Sequence, residues 1–173
     1  DNEPLFRQES FFQWAFGVAE PDCFGVLDVE TNTSTLFVPR LPQEYAVWMG
    51  EIHSPEFFAT KYSVDACRYT DELDDFFATA NGDGGAPVRL DTLQGRNTDA
   101  GNYAKPATFE GVEKYRVEKG RLFPLLVELR VYKTDAELAV LRYVADVTGR
   151  AHMDVMRQCR PGLREYQCEA LFA

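Results

Sequence analysis

The chain has 173 residues, of which 45% are hydrophobic and 13% aromatic, and a formal net charge of −10. That much apolar material can bury a real core, so a disordered segment is excluded. The acidic balance argues against a basic face for nucleic acid or anionic lipid, and no apolar run approaches the roughly 18 to 20 residues of a membrane helix.

The first predicted element is Phe11 to Phe16, FFQWAF, stopped by Gly17. It reads as a core strand, with Trp14 and Phe16 on one face and Phe11 and Gln13 on the other. Glu20-Pro21-Asp22 is turn chemistry. Cys23 to Val29 and Thr35 to Val38 are strand-like runs joined by the polar stretch Thr31 to Ser34, which predicts a β-hairpin stopped by Pro39.

The period then changes. Ser54-Pro55-Glu56 supplies an N-cap residue, a Pro at the first helical position and an acid near the positive helix end, so a helix is predicted over 55–61. Thr70 is predicted to cap a second helix over 71–79, with Leu73, Phe76 and Phe77 as its apolar side. NGDGG at 81–85 should break it. Val88 to Leu93 can return as a strand, and Lys114 to Glu118 is a weaker strand candidate.

From Phe123 the pattern becomes helical. Leu125 to Val131 follows Pro124 and starts a helix or a linker. Thr134-Asp135-Ala136-Glu137 is a capping box, in which the Thr hydroxyl accepts from a backbone N–H three residues on and the Glu reaches back. Leu138, Leu141, Ala145, Thr148, His152, Val155 and Cys159 then recur at steps of three and four, one face of a long helix. It should stop at Pro161-Gly162, and Arg164 to Phe172 starts another helix. Residues 1–120 and 121–173 read as parts of two domains.

Residues with chemical potential are scattered. The two histidines, His53 and His152, lie in different predicted elements without an i+4 partner, which suits a loop residue and a half-buried helix residue better than metal ligands. Asp74 and Asp75 are adjacent on a helix and diverge by about 100° around its axis, so they read as a solvated face rather than a carboxylate pair. The NGDGG run lacks the Lys of a phosphate-binding loop, and Ser10 lacks a glycine elbow and a base. The four cysteines, Cys23, Cys67, Cys159 and Cys168, form no CxxC pair and are expected to be reduced and mostly buried in a cytoplasmic protein. A Cys159–Cys168 disulfide is conceivable, though the spacing alone does not support it. Catalytic residues: none. Metal ligands: none. Trp48, in YAVWMG after Pro39 and Pro42, is an aromatic on a loop, open to two readings: a packing anchor or a recognition residue.

The stretches LFRQESFFQWAFGV, EPDCFGVLDVETNTSTLFVPRLP and WMGEIHS, followed by GRNTDAG at 95–101 and VELRVYKTDAELAVLRY at 127–143, closely resemble the eukaryotic prolidase family. The resemblance runs in order over almost the whole chain. It implies an α/β fold: a creatinase/prolidase amino-terminal domain at 1–120, with a mixed β-sheet flanked by helices and without its first elements. At 121–173 it implies a linker and the opening helices of a pita-bread metallopeptidase domain, truncated before the metal ligands.

The family's activity is hydrolysis of Xaa-Pro dipeptides by two divalent metal ions, typically Mn²⁺, held by two Asp, one His and two Glu. Those ligands are expected downstream of Ala173, so the 173 residues alone are expected to be inactive. The resemblance also implies a homodimer built by the amino-terminal domain, with Trp48 lining the partner's active site. Other readings within the same fold are aminopeptidase P and a non-catalytic pita-bread binding protein. The helix at 135–159 is expected to project away or to pack on a partner, since its stripe would otherwise be exposed.

Overall fold

The computed structural model describes residues 6–80 and 88–173, so the NGDGG run lies outside the described residues. The chain divides into two compact units, 1–126 and 127–173.

The aromatic run is a helix, α1 (Ser10–Phe16), not a strand. A short apolar run cannot choose between the two by periodicity, and capping decides it here. The Glu9 carboxylate accepts from the backbone N–H groups of Phe11 at 2.9 Å and Phe12 at 2.8 Å. Gly17 closes the other end in the left-handed region, at φ 68°, and donates its N–H to Gln13 O. Helical spacing brings Phe12 and Phe16 together, with ring centroids 5.2 Å apart. Phe11 faces elsewhere, edge-on to Phe123 at 5.4 Å, and Trp14 remains 38% exposed.

The hairpin forms as expected. β1 (Phe24–Asp28) and β2 (Thr33–Val38) pair antiparallel, with Phe24 opposite Phe37 and Asp28 opposite Thr33. Asp28 Oδ1 builds the turn by accepting from the N–H groups of Glu30 and Thr31. β3 (Ala66–Tyr69) joins the other edge of β2 in parallel, which makes the sheet mixed, in the order β1-β2-β3. The β2–β3 crossover carries α2 (Ala46–Met49) and α3 (Pro55–Tyr62). Ser54 holds the N-cap position of α3, but its hydroxyl meets the Glu56 carboxylate rather than a backbone N–H.

β2 is buried on both faces. Phe37 packs with Leu73, Phe77 and Tyr115 on one side. Leu36 and Val38 pack with Val18, Phe12, Phe16, Phe58 and Tyr62 on the other. Leu73 and Phe77 belong to α4 (Leu73–Ala80). Thr70 does not cap this helix: it opens a 3₁₀ turn, Thr70–Glu72, that leads into it. A second sheet pairs β4 (Arg89–Asp91) with β5 (Arg116–Glu118) in parallel.

α5 (Leu122–Val131) starts two residues before Pro124. A Pro in the first turn is tolerated because that N–H has no intrahelical partner. In the second unit, α6 (Asp135–Gln158) opens with the capping box: Glu137 N–H donates to Thr134 Oγ1 at 3.2 Å, and Thr134 N–H donates to Glu137 Oε2 at 2.7 Å. α7 (Glu165–Phe172) follows the Pro161-Gly162 turn. Leu141, on the stripe of α6, is 50% exposed. His152 is exposed rather than half-buried and meets the Phe172 ring edge-on at 5.0 Å.

Candidate functional site

The segment between β2 and α3 carries Trp48 on an exposed tip, and its local conformation follows from its sequence. Pro39 ends β2. Pro42, at φ −67°, leads into a 3₁₀ turn, Gln43–Tyr45, which runs into the single turn of α2. Gly50 N–H donates to Ala46 O at 3.1 Å, and the chain leaves at φ 85°, a conformation that only glycine adopts without strain. Trp48 therefore sits on a helical turn, not an irregular loop. It is 85% exposed, next to Val47 at 78%. A packing anchor would be covered, and this ring is not.

Both stems of the tip are fixed. On the incoming side, Arg40 Nε donates to Asp71 Oδ2 at 2.7 Å and Nη2 donates to Glu72 Oε1 at 3.0 Å. The same guanidinium lies 3.7 Å from the centroid of the Tyr69 ring. Its hydrogen bond holds the Asp71 carboxyl below its ordinary value. On the outgoing side, the His53 imidazole stacks on Phe57 at 3.8 Å and meets Phe58 edge-on. The first clamp left no mark in the sequence, because its partners are thirty-one and thirty-two residues away. His53 had a weak signal: it lies four residues before Phe57, at the mouth of a predicted helix.

The remaining candidates resolve into structural roles. Asp74 and Asp75 diverge, but Asp74 is not simply solvated. Its Oδ2 accepts from Lys114 Nζ at 2.5 Å and its Oδ1 accepts from Tyr115 OH at 3.0 Å, which ties α4 to the start of β5 and holds the Asp74 carboxyl low. Ser10 is the first residue of α1. His53 and His152 belong to different units.

The four cysteines are free, but they are not deeply buried: Cys23, Cys67 and Cys168 are half-buried and Cys159 is exposed. Burial, with Glu20 nearby, pushes the Cys23 thiol up to about 12, and burial pushes Cys67 up to about 11, so neither is an activated nucleophile.

Among the described residues, no three His, Cys, Asp or Glu side chains form a group that could hold a metal ion. The described residues do not fit a dinuclear centre. No described helix is long and apolar enough to cross a membrane.

Residues 1–85 match the family model of the aminopeptidase P N-terminal domain. The chain is 52% identical over 172 residues to a Xaa-Pro dipeptidase of Pongo abelii, a match that covers 99% of this chain and 34% of that protein. It is 50% identical to the Homo sapiens Xaa-Pro dipeptidase over the same length and shares. Thus the chain spans about a third of the length of the curated relatives it matches. Among solved structures it is similar to a zinc-substituted E. coli aminopeptidase P in complex with product, with a TM-score of 0.70 and 27% identity. That match covers 98% of this chain and 40% of the other. The mixed α/β fold, a sheet flanked by helices, resembles the aminopeptidase P amino-terminal domain.

Proposed function

This chain is related along its length to the Xaa-Pro dipeptidases, and from that relationship we propose that it is part of an enzyme that hydrolyses dipeptides ending in proline. The observation that carries the proposal is the identity of half its residues over 172 positions with proteins of that activity. The Xaa-Pro bond is a tertiary amide without an N–H and with a locked ring, so it does not suit sites that bind an extended, hydrogen-bonded backbone. Hydrolysis is assigned to two divalent ions, manganese by analogy with the family, held by residues outside this chain. The 173 residues alone are inactive in this reading. The relative with zinc bound in a product complex supports a divalent metal, though not its identity. The compartment is cytoplasmic, in keeping with four free thiols.

The amino-terminal unit builds a homodimer in this proposal, and Trp48 enters the partner's substrate pocket. Support comes from the exposed ring on a doubly held loop. A flat aromatic face packs against pyrrolidine and helps to exclude water.

The test mixes two variants of the full-length enzyme: Trp48→Ala and one with a disabled metal ligand. In heterodimers, the intact metal site of the first receives Trp48 from the second, so activity on Gly-Pro is partly restored. No restoration, with heterodimers shown to form, sinks the trans role.

The aminopeptidase P reading has the fold likeness in its favour. It predicts cleavage of Xaa-Pro-Yaa tripeptides in preference to Xaa-Pro dipeptides, whereas the dipeptidase reading predicts the reverse. A non-catalytic binding protein of this fold would cleave neither with Mn²⁺ added.

A further inference from the structure

Arg40 is held more closely than an exposed arginine needs to be. It follows β2 after Pro39 and precedes Leu41-Pro42. The two prolines fix their own φ and favour extended backbone at Val38 and Leu41. Nε of Arg40 donates to Asp71 Oδ2 at 2.7 Å, and Nη2 donates to Asp71 Oδ1 at 3.2 Å and to Glu72 Oε1 at 3.0 Å. The guanidinium carbon lies over the Tyr69 ring, 3.7 Å from its centroid. The Asp71 pairing is two-pronged, a geometry that only a planar guanidinium matches.

The partners of Arg40 all trace back to the core. Tyr69 ends β3 in register with Val38 of β2. Asp71 and Glu72 lie in the 3₁₀ turn that runs into α4, whose Leu73 and Phe77 are buried. Yet the Arg40 and Asp71 side chains are 52% and 55% exposed, and an ion pair that wet contributes little to folding stability. What the clamp does set is the direction in which the chain leaves the sheet toward Trp48.

We propose that Arg40 is a positioning residue: it acts through Trp48, and it determines where the indole arrives in the partner's pocket. The inference rests on the reading that Trp48 lines that pocket. The incoming stem is the base of a lever. A small swing at Arg40 is carried through residues 41–47 into a larger displacement of the ring. A positioning surface misplaced by about 1 Å can lose about a hundredfold in rate.

The experiment measures kcat/KM on Gly-Pro with Mn²⁺, and the melting temperature, for the full-length protein unaltered, with Arg40→Ala, with Trp48→Ala and with both. Arg40→Ala should lower kcat/KM about tenfold or more and leave the melting temperature unchanged. In the Trp48→Ala background it should lower kcat/KM no further, because no ring is left to position. Arg40→Lys keeps the charge without the fork and should recover part of the loss. Asp71→Ala should reproduce the loss from the other side of the clamp. If the unaltered protein does not cleave Gly-Pro, or if Trp48→Ala leaves kcat/KM intact, the reading beneath the proposal fails and takes the proposal with it. If Trp48→Ala lowers kcat/KM and Arg40→Ala does not, that reading stands and the positioning role is overturned. The role is overturned equally if Arg40→Ala costs the same factor with and without Trp48, or if Arg40→Ala fails to fold while Asp71→Ala keeps full activity.

Discussion

The ring of Phe16 fills the space that a Cβ on Gly25 would need. Helix α1 therefore lies directly against strand β1, and the only side chain compatible with that approach is a hydrogen. Gly25→Ala should force the ring or the strand aside and cost about 1–3 kcal/mol, the range for overpacking a filled core. Denaturant unfolding of the chain would measure it. A further change, Phe16→Leu, should recover part of the loss in the double variant, because it removes the obstructing ring edge.

Glu20 offers a pH test. Its carboxylate takes Lys61 Nζ at 2.6 Å on Oε1 and the Tyr62 hydroxyl on Oε2, which ties the turn before β1 to α3. Burial pushes this carboxyl up, but the hydrogen bonds from Lys61 and Tyr62 together hold it below its ordinary value of 4.5. A depressed folded-state value means that the stabilisation is present in full above the unfolded-state value and is lost as pH falls through the folded one. Glu20→Gln should therefore cost about 1 kcal/mol at pH 7, discounted for a partly wet pair, and the gap to the parent chain should narrow as pH drops below 4.5. A gap that stays constant from pH 7 to pH 3 would show that the charge contributes nothing.

Trp48→Ala separates anchoring from recognition. With its ring 85% exposed, the substitution should change unfolding free energy by no more than about 0.5 kcal/mol. Phe77→Ala in the core should cost about 3–5 kcal/mol. On the dipeptidase reading proposed above, Trp48→Ala in the full-length protein should raise KM or lower kcat/KM while the melting temperature stays put. A large loss of stability in the isolated chain would return Trp48 to a packing role.

Local chemistry was legible in the sequence. Thr31 to Ser34 between two apolar runs announced the hairpin, Ser54-Pro55-Glu56 announced α3, and Thr134 with Glu137 announced α6. What failed was whatever depends on a partner far away in the chain or on an unusual cap. The aromatic run became a helix because Glu9 serves as its N-cap, a position where Ser, Thr, Asp and Asn are the expected residues. Thr70 had the right side chain to cap α4, but a 3₁₀ turn used it instead. The parallel pairing of β3 with β2 rests on a crossover that periodicity does not register. At the candidate site, the aromatic ring could be singled out, but its exposure and the Arg40 clamp could not, since both are set by tertiary neighbours.

The two clamped stems have a consequence for the role proposed for the tip. A free loop of this length samples many conformations, and each rotatable bond frozen on contact weakens binding. Here Arg40 on Asp71 and Glu72, His53 on Phe57, and the helical turn under Trp48 restrain the backbone on both sides of the tip. The backbone beneath the indole is thus set before contact, so in the role proposed for it the ring would be buried with less ordering of the loop. Loosening either stem, by Arg40→Ala or His53→Ala, would weaken that engagement without altering any atom of the contact.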